Sequence, residues 1–401
     1  MLANLWRGLL AGADYRRVLR LLTNKPKLDV VFITNVRDEA ERQRFFSSDA
    51  DRGRHASGPR MHLKGIAAAV RGINATADEM YTREGRKKAK AIFVEATQWA
   101  QDQGAKVVLL AASTKRLFGR DGAELKALFP NIVFTIGDNG TASLLCQDID
   151  RALSHADLIQ QGEGEHRLPR ILVIGPYGLL GDVVTRHLLN QGHHVVGFGA
   201  NVALLHAYSS ETGLPISEDL QTAGEFDLVV ACTHSQEAKL SQQSIESLRR
   251  TNRRLLVVDV AEPANLDAQT LALCAQHVVR QDAGNGYSSS LRYVLGAWSW
   301  RKLHLARGTV FGCFAEAMAL YHAIYRQHDH LALKRNWFDI NPFNITLVNE
   351  AFKYLEIGLP RPHCFGQVVS SFDLQMRLSD KAKDTPVAPS DRPAVTALIA
   401  A

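Results

Sequence analysis

The sequence predicts an α/β protein, and two patterns along its 401 residues support that prediction. Apolar runs of strand length, such as 171–174 and 255–258, alternate with longer amphipathic stretches that have helical spacing. No apolar run approaches the roughly 18 residues that a membrane-spanning helix needs. Strands that alternate with helices build sheets covered by helices, so the core of each domain should be of this kind.

Length and local composition predict four regions. A chain of 401 residues with 46% hydrophobic content is long enough for two or three domains with real cores. The polar, glycine-bearing stretch 155–170 predicts a boundary, and after residue 375 the chain has little to bury. We expect an N-terminal α/β substrate domain over 1–160 and a nucleotide-binding domain over 161–290. A helical segment over 291–376 and a disordered tail over 377–401 should follow.

The charge is concentrated near the N-terminus. The formal net charge is +6, and residues 1–100 hold 19 Lys/Arg against 11 Asp/Glu. An anionic lipid surface, an acidic protein partner or a merely solvated face would each explain this balance. The chain lacks a basic motif interleaved with aromatic residues and a zinc-binding pattern, so we expect no nucleic-acid partner.

Cysteine usage and the N-terminus indicate a cytoplasmic protein. The five cysteines are scattered and odd in number, which gives neither a disulfide framework nor metal-ligand spacing. The N-terminal stretch has Arg7 within its apolar residues and no cleavage-site pattern, which argues against a secretory signal.

The first 154 residues predict the following elements in order. Residues 1–24 have the pattern of a basic amphipathic helix that either lies on a membrane surface or packs on the core. A strand over 28–34, a loop over 38–59 and a helix over 75–103 follow. Two more strands are expected over 107–111 and 131–136, and a further helix over 142–154.

The turn between the strand at 131–136 and that helix contains Asp138, Asn139 and Thr141. Such side chains usually cap the helix that follows them. The alternative is that Asn139 or Thr141 donates a hydrogen bond to a substrate carbonyl, which would make them oxyanion-stabilising residues.

The clearest motif is a strand, a glycine turn, a helix and a second strand. Strand Arg170–Ile174 leads into 175–181, a G-x-x-G-x-x-G loop, which precedes a helix over 182–190 and strand His194–Phe198. Glycines let the backbone approach a pyrophosphate, and the helix N-terminus meets its charge. This is the local pattern of a Rossmann-type NAD(P)-binding domain.

The ends of the strands supply further cofactor candidates. No acidic residue occurs from 192 to 201, where NAD-binding proteins hold the ribose with a carboxylate, so NADPH is favoured over NADH. Strands over 228–231 and 255–258 end near Thr233, His234 and Asp259, although His234 could be a solvated loop residue. The predicted cofactor-binding residues are Gly175, Tyr177, Gly178, Leu179, Leu180, Gly181, Ala200, Asn201, Thr233 and Asp259.

Residues 291–358 should be mostly helical, and Cys313 begins the central helix there. The residues after it are strong helix formers, and Glu316 falls in the first turn. A thiol at a helix N-terminus can have its pKa lowered from about 8.5 towards neutrality, which makes it a nucleophile. The alternative is that a cysteine between two phenylalanines is a buried packing residue. A second amphipathic helix is expected over 345–355.

Three stretches in this order resemble the long-chain acyl-[acyl carrier protein] reductases best known from cyanobacteria. The first runs from Gly104 through 135–142, T-I-G-D-N-G-T-A, and is similar to the family's T-x-G-N-x-x-T-A turn. The second is the G-x-x-G-x-x-G loop. The third, 311–318, reads F-G-C-F-A-E-A-M and is nearly identical to the family's F-A-C-F-A-E-A-M, which carries its acyl-accepting cysteine. The resemblance covers roughly 100–356.

The resemblance implies an enzyme that takes an acyl group from a thioester onto Cys313 and reduces it with NADPH to a fatty aldehyde. Three departures from the family are visible. A glycine-rich segment ending in V-E-H is replaced by 282–287, the family's D-G-G-Y-P reads D-V-A-E-P at 259–263, and a basic residue is replaced by Ala200. These positions bear on acyl-chain length and on the contact to the cofactor's 2′-phosphate.

The residues therefore predict an NADPH-dependent acyl-thioester reductase whose substrate is an acyl carrier protein or acyl-CoA thioester. Cys313 is the expected nucleophile, Asn139 or Thr141 the oxyanion donor, and His234 the candidate acid for the leaving thiol. Peripheral membrane contact through the basic N-terminus is also possible on this sequence. The alternatives are a reductase of a specialised-metabolite thioester, or a catalytically silent NADP-binding subunit that docks a carrier protein or a membrane.

Overall fold

The structure is a computed structural model that describes residues 12–23, 25–46, 53–158, 168–233 and 235–376, together with Leu5 and Leu9. The described residues of the first part of the chain form five strands and five α-helices. In order they are α1 (Tyr15–Leu22), β1 (Val30–Val36), α2 (Glu39–Phe45), β2 (His55–Leu63), β3 (Ile66–Thr76), α3 (Arg83–Asp102), β4 (Val107–Leu110), α4 (Ala123–Leu128), β5 (Val133–Thr135) and α5 (Asp138–His155). The predicted tail over 377–401 lies outside the described residues.

The second part contains the predicted nucleotide-binding domain. Its elements are β6 (Arg170–Ile174), α6 (Leu179–Asn190), β7 (His194–Phe198), α7 (Val202–Thr212), β8 (Ile216–Ser217), β9 (Leu228–Ala231), α8 (Gln242–Leu248), β10 (Leu255–Asp259), α9 (Ala268–Leu273) and β11 (Val278–Asp282).

The last part mixes short strands with helices. It comprises β12 (Asn285–Tyr287), β13 (Arg292–Tyr293), α10 (Ala297–Trp300), β14 (Thr309–Phe311), α11 (Gly312–Tyr321), α12 (His330–Lys334), α13 (Pro342–Leu355), β15 (His363–Cys364) and β16 (Gln367–Val368). A π-helical turn, His322–Arg326, continues α11 without a break.

The first sheet has the strand order β13-β2-β3-β1-β4-β5. Strands β3, β1, β4 and β5 are parallel, and β2 and β13 are added antiparallel at one edge. Side chains along β1 alternate between two cores, since Phe32 packs towards α11 and Ile33 packs towards α3. The ring of Phe32 stacks on Phe314 of α11 with centroids 4.0 Å apart. Helices therefore cover both faces of this sheet, and one of them comes from the C-terminal part of the chain.

The second sheet is parallel throughout and has the order β11-β10-β9-β6-β7-β8. Counted from β6, this is the 3-2-1-4-5-6 order of a Rossmann-type dinucleotide-binding domain. Helix α5 links the two domains, because Leu144 belongs to the core of the first and Leu145 and Ile149 to the core of the second. The predicted fold class, a Rossmann-type domain with an N-terminal α/β domain and a helical C-terminal segment, is confirmed.

Several predicted boundaries differ from the structure. The expected loop at 38–59 contains α2 and the start of β2, and the expected helix at 75–103 begins only at Arg83. The hairpin of β2 and β3 was not predicted, because its strands are rich in alanine, glycine and histidine and poor in β-branched residues. Helix α6 begins at Leu179 instead of 182, and residues 291–358 contain β13 and β14 as well as helices.

Candidate active site

Cys313 occupies the second position of α11, directly after a short strand. Strand β14 pairs antiparallel with β12, which follows the last strand of the dinucleotide-binding sheet. The backbone N–H of Gly312 donates to the carbonyl oxygen of Gly284 at 3.0 Å. This bond fixes the start of α11 next to the carboxyl edge of that sheet. Part of Cys313 is accessible to solvent, while dense packing around its sulfur desolvates the thiol.

A second helix, α5, begins next to Cys313. Helix α5 starts at Asp138 after Gly137, which has a φ of +76°. A Cβ atom on Gly137 would lie 2.3 Å from the Cβ of Cys313, so only glycine permits this approach. The first-turn N–H groups of a helix have no intrahelical partners, and both helix dipoles are positive at these ends. The thiol is therefore placed where two sets of backbone donors and two positive helix ends converge.

Two more glycine contacts hold the helices together. A Cβ atom on Gly140 would lie 2.8 Å from both the Cβ of Glu316 and the carbonyl oxygen of Gly312. A Cβ atom on Gly312 would lie 2.8 Å from the Cα of Thr141. The backbones of α5 and α11 thus touch over a full helical turn on the side where Cys313 lies.

Three ionisable side chains surround the thiol. Lys115, which follows β4, forms an ion pair with Asp138 of α5. Glu316 lies one turn beyond Cys313 on α11 and is fully buried. Its carboxyl group accepts hydrogen bonds from the hydroxyl of Thr135 at 2.5 Å and from the backbone N–H of Gly140 at 2.7 Å. This part of the core is therefore polar and closely hydrogen-bonded.

The thiol is protonated in this environment. Burial raises the pKa of Cys313 to about 12, and the positive charge of Lys115 offsets only part of that effect. The negative charges of Asp138 and Glu316 raise the pKa further. Burial therefore acts against the lowered pKa that the position at a helix N-terminus led us to expect.

Burial also raises the pKa of Glu316 to about 7, against the opposing hydrogen bonds from Thr135 and Gly140. Burial would lower the pKa of Lys115, but the charges of Asp138, Cys313 and Glu316 raise it overall. The site consequently combines a lysine that stays charged with a carboxyl group that titrates near neutrality. A charged Lys115 stabilises a thiolate, and a carboxyl group that titrates near neutrality, such as Glu316, can take a proton from a thiol or return one to it.

The structure separates the two predicted oxyanion donors. Asn139 is fully buried, and its side chain donates to the carbonyl oxygen of Asp339 at 3.1 Å and accepts from the backbone N–H of Asn341 at 3.3 Å. It therefore ties α5 to the C-terminal segment and does not fit the predicted catalytic role. The Thr141 hydroxyl donates to the carbonyl oxygen of Gly137 at 2.9 Å, next to Cys313. His234 lies outside the described residues.

The glycine loop has the geometry of a phosphate-binding turn. Gly175 has a φ of +83°, and a Cβ atom on Gly181 would lie 1.9 Å from the carbonyl oxygen of Gly175. Within the described chain, no side chain caps α6 at its first residue, so the N–H groups of Leu179, Leu180 and Gly181 keep their donor capacity. Open backbone donors at a helix start after a tight glycine turn fit a dinucleotide pyrophosphate.

Tyr177 and Asn201 meet at the end of β7. The Tyr177 hydroxyl accepts from the backbone N–H of Asn201 at 3.0 Å, and a Cβ atom on Gly199 would lie 2.4 Å from the tyrosine ring. The Asn201 side chain caps α7 by accepting from the N–H of Leu204. Ala200 packs against the neighbouring core. Tyr177 therefore covers the strand end at which this fold binds the adenosine ribose.

Thr233 and Asp259 have different surroundings. Thr233 lies beside the loop, since a Cβ atom on Gly175 would be 3.0 Å from its Cβ. The buried carboxylate of Asp259 accepts from the backbone N–H groups of Ala261 and Leu266 and from Arg280, each at 3.0 Å. These partners give Asp259 a structural role, and a cofactor contact by its carboxylate stays a prediction.

The cofactor edge and the cysteine are adjacent. A Cβ atom on Gly284 would lie 2.8 Å from Val260, at the end of β10, and 3.1 Å from the methyl group of Thr141. The N–H of Gly284 donates to Asp148 of α5 at 3.0 Å. Ligands of Rossmann-type sheets bind outside the carboxyl ends of the strands, which here is the side where α5 and α11 begin.

Sequence reasoning missed the roles of Lys115, Gly137 and Gly284, and it treated Glu316 only as a partner of the helix dipole. Lys115 follows a predicted strand, so its place at the carboxyl edge of the first sheet was available as a signal. The contacts of Gly137 and Gly284 had no signal, because they depend on elements more than 140 residues apart in the chain.

Comparison with known proteins finds one family match, which lies over the second sheet. A family model described as shikimate / quinate 5-dehydrogenase matches residues 157–282, which contain the second sheet. No curated protein matches the chain in sequence.

Solved structures similar to the chain include dehydrogenases. Shikimate 5-dehydrogenase from Thermus thermophilus is 12% identical, with 82% of this chain and 99% of that chain covered and a TM-score of 0.34. L-tryptophan dehydrogenase from Nostoc punctiforme is 10% identical, with 83% and 90% covered and a TM-score of 0.33. A putative malic enzyme is 14% identical, with 86% and 89% covered and a TM-score of 0.35.

The family match over 157–282 agrees with the Rossmann-type NAD(P)-binding fold of the second sheet. The resemblance to acyl-[acyl carrier protein] reductases stays a prediction. Every helix in the described segments is too short or too polar to cross a bilayer.

Replacing Glu316 with Gln should change the pH dependence of stability. The folded protein holds a proton on Glu316 up to about pH 7, whereas the unfolded chain releases it near the ordinary value of 4.5. Because the native state then binds more protons, the free energy of unfolding falls as pH rises between these values, by about 3 kcal/mol from this group. Denaturant unfolding at several pH values should show a flatter curve for Glu316→Gln.

Asp148, whose pKa burial also raises to about 7, is present in both proteins and cancels from the comparison. Parallel curves for the wild type and Glu316→Gln would show that folding does not change the pKa of Glu316, contrary to this assignment.

Proposed function

We propose that the protein reduces an acyl thioester, carried by an acyl carrier protein or CoA, to an aldehyde with NADPH through an acyl-enzyme on Cys313. One observation carries the proposal. Cys313 lies where α5 and α11 start, against the carboxyl edge of the dinucleotide-binding sheet. Among the cysteines that the structure describes, it alone is in the first turn of a helix of eight or more residues. A thiol that transfers acyl groups beside a hydride donor needs this placement.

Acyl transfer begins when the Cys313 sulfur loses its proton and attacks the thioester carbonyl. A tetrahedral oxyanion forms, and its collapse expels the carrier thiolate and leaves an acyl group on Cys313. The N–H groups of Gly140 and Gly312 are already bonded to Glu316 and Gly284. The remaining first-turn N–H groups of α5 and α11, including that of Phe314, replace the Asn139 side chain as candidates for stabilising the oxyanion. A well-placed donor of this kind contributes about 3 kcal/mol.

The proton of Cys313 needs an acceptor, and Glu316 has suitable properties. It lies on the same helix, interacts electrostatically with Cys313, and titrates at about 7. A group with a pKa near the working pH is the most effective general base or acid. Glu316 would take the thiol proton in the attack and return a proton to the departing carrier thiolate. Lys115 holds the positive charge that favours the thiolate.

The residues of the second domain fit a dinucleotide. The N–H groups of Leu179 to Gly181 would hold its pyrophosphate, and Tyr177 and Asn201 lie at the ribose end. When bound, a reduced nicotinamide supplies the hydride that converts the enzyme thioester to aldehyde and frees Cys313. The absence of a carboxylate at the end of β7 supports NADPH over NADH.

An acidic carrier protein would dock on α3. Parallel strand β3 ends at Thr76, so α3 begins at the same edge of the first sheet as Cys313. Arg86, Lys87 and Lys88 are exposed near this end of α3, whereas Lys90 is paired with Glu124. Their cluster gives a positive surface near the proposed site of acyl transfer.

Replacing Cys313 with Ser should abolish aldehyde formation and leave NADPH binding nearly unchanged, because the thiol lies outside the glycine loop. Intact-protein mass spectrometry after mixing with acyl carrier protein thioesters of several chain lengths should show an acyl adduct in the wild type and none in Cys313→Ser. Cofactor binding is checked separately by fluorescence titration.

The other four cysteines serve as matched controls. Single replacements of Cys146, Cys232, Cys274 and Cys364 with Ser should keep the adduct, because none of these four cysteines lies at the start of α11 where α5 also begins. An adduct that maps to one of them, or that persists in Cys313→Ser, contradicts the assignment of the nucleophile.

The enzyme should prefer NADPH to NADH. The end of β7 offers backbone and the Asn201 side chain but no carboxylate for a free ribose 2′-hydroxyl. Steady-state rates with each cofactor give kcat/KM values, and a value for NADH that equals or exceeds that for NADPH would show this inference to be wrong.

The KM for an acyl carrier protein substrate should rise steeply with ionic strength, because salt screens attraction beyond about 10 Å. Reversing the charges of Arg86, Lys87 and Lys88 to Glu should mimic added salt and raise this KM by about tenfold at low salt. Acyl-CoA, which lacks the acidic protein surface, is the control substrate and should respond less. If the KM for the acyl carrier protein substrate changes neither with salt nor with these three substitutions, the carrier protein does not dock on α3.

A further inference from the structure

Helix α1 presents its apolar side to solvent. Tyr15, Val18, Leu19 and Leu22 are spaced as one helical stripe, and their exposed fractions are 62, 52, 54 and 77%. Leu5 and Leu9, further towards the N-terminus, are also exposed. A surface helix of a globular protein normally turns such a stripe towards the core. Among the residues that the structure describes, nothing buries the stripe on α1.

The polar side of α1 holds the helix in this orientation. Arg20 donates to the carbonyl oxygens of Pro26 at 2.6 Å and Gly65 at 3.0 Å, and it pairs with the buried carboxylate of Asp29 at 2.6 Å. Since the guanidinium group reaches inward, residues on the opposite side of the helix must face outward. The exposure of the stripe thus follows from a specific anchor on the body of the protein.

A strongly basic groove runs beside the stripe. It has a volume of about 680 Å³, and one of the stripe residues, Leu19, contributes to its wall. None of the described residues that line it is acidic. Six of them are Arg, Lys or His, and three of these, Arg20, His62 and Lys64, pair with the carboxylates of Asp29, Asp14 and Glu356 behind the wall. The other three, Arg16, Lys25 and Arg292, supply the positive charge that faces the groove. A groove of this composition complements an anionic surface.

The groove lies far from the proposed acyl-transfer site. Arg326, at the end of the π-helical turn after α11, donates to the carbonyl oxygen of Lys64 at 2.6 Å in the groove wall. Cys313 lies thirteen residues earlier on the same helical segment, which corresponds to roughly 20 Å. The groove borders the start of β3, whereas Cys313 lies where the parallel strands of that sheet end. It is therefore at the wrong edge to admit a thioester.

We propose that α1 and the basic groove form a docking face for a bilayer that contains anionic phospholipids. Leucines that project from a helix can enter the boundary between headgroups and acyl chains, while the flanking cations remain at headgroup level. Anionic headgroups match the sign and spread of the charge in the groove. An acidic protein would satisfy the cations but would leave most of the stripe, which lies outside the groove, in water. The proposal is independent of the proposed catalytic function.

The test uses the full chain and co-sedimentation with vesicles. Phosphatidylcholine vesicles that contain phosphatidylglycerol should bind the protein, and pure phosphatidylcholine vesicles should bind it weakly. Leu19→Glu with Leu22→Glu should remove most binding, because charged side chains would replace the inserting leucines. Arg16→Gln, Lys25→Gln and Arg292→Gln should each weaken binding by about fivefold.

The matched control removes the same charge elsewhere. Arg86→Gln, Lys87→Gln and Lys88→Gln on α3 should leave vesicle binding unchanged, and circular dichroism should show that all variants are folded. Equal binding to neutral vesicles, or equal losses from the α3 variants, overturns the proposal. Two further results would overturn the proposal. One is that the wild type forms a dimer in analytical ultracentrifugation, or a complex with an acidic acyl carrier protein, that the Leu19→Glu, Leu22→Glu variant does not form. The other is that this variant still binds the anionic vesicles as the wild type does.

Discussion

The close contact between the starts of α5 and α11 is the constraint on which the candidate site depends. Gly137, Gly140 and Gly312 let the two backbones touch, and a methyl group at any of them would collide with the opposite helix. Because α5 also contributes to the cores of both domains, this contact fixes the cysteine relative to both sheets at once. The carboxyl edge of the dinucleotide-binding sheet and the thiol then lie on the same side of α5, where Gly284 contacts both Gly312 and Thr141.

Local sequence was sufficient to predict the strands that are uniformly apolar and the helices that consist of strong helix formers. Strands β6, β7 and β9 were predicted at their observed bounds, because buried parallel strands are short apolar runs ended by glycine or polar residues. The position of Cys313 at the start of a helix was predictable from the helix formers behind it. The antiparallel hairpin of β2 and β3 was not, since its residues have weak strand propensity and are held by tertiary packing.

The electrostatics of the site could not be predicted from sequence for a related reason. A helix N-terminus lowers the pKa of a cysteine only when water still solvates the thiolate, and the sequence does not show how deeply the thiol is buried. Similarly, Glu316 resembled a first-turn residue that favours the helix dipole. In the structure it is a buried carboxyl group held by Thr135 and Gly140. Glu316 is buried because α5 and the first sheet pack against α11 on two sides.

In the proposed reaction, burial of Cys313 limits how acyl transfer can proceed, because it favours the protonated thiol. With a pKa of about 12, forming the free thiolate at pH 7 would require roughly 7 kcal/mol. A preformed thiolate is therefore a poor description of the nucleophile, and proton loss coupled to carbonyl attack is less costly. Coupling needs a base that is neither so strong that it is always protonated nor so weak that it takes no proton, and Glu316 at about 7 meets that condition. Burial of the thiol and burial of the carboxyl group thus act together, since the desolvation that suppresses the thiolate also raises the basicity of its neighbour.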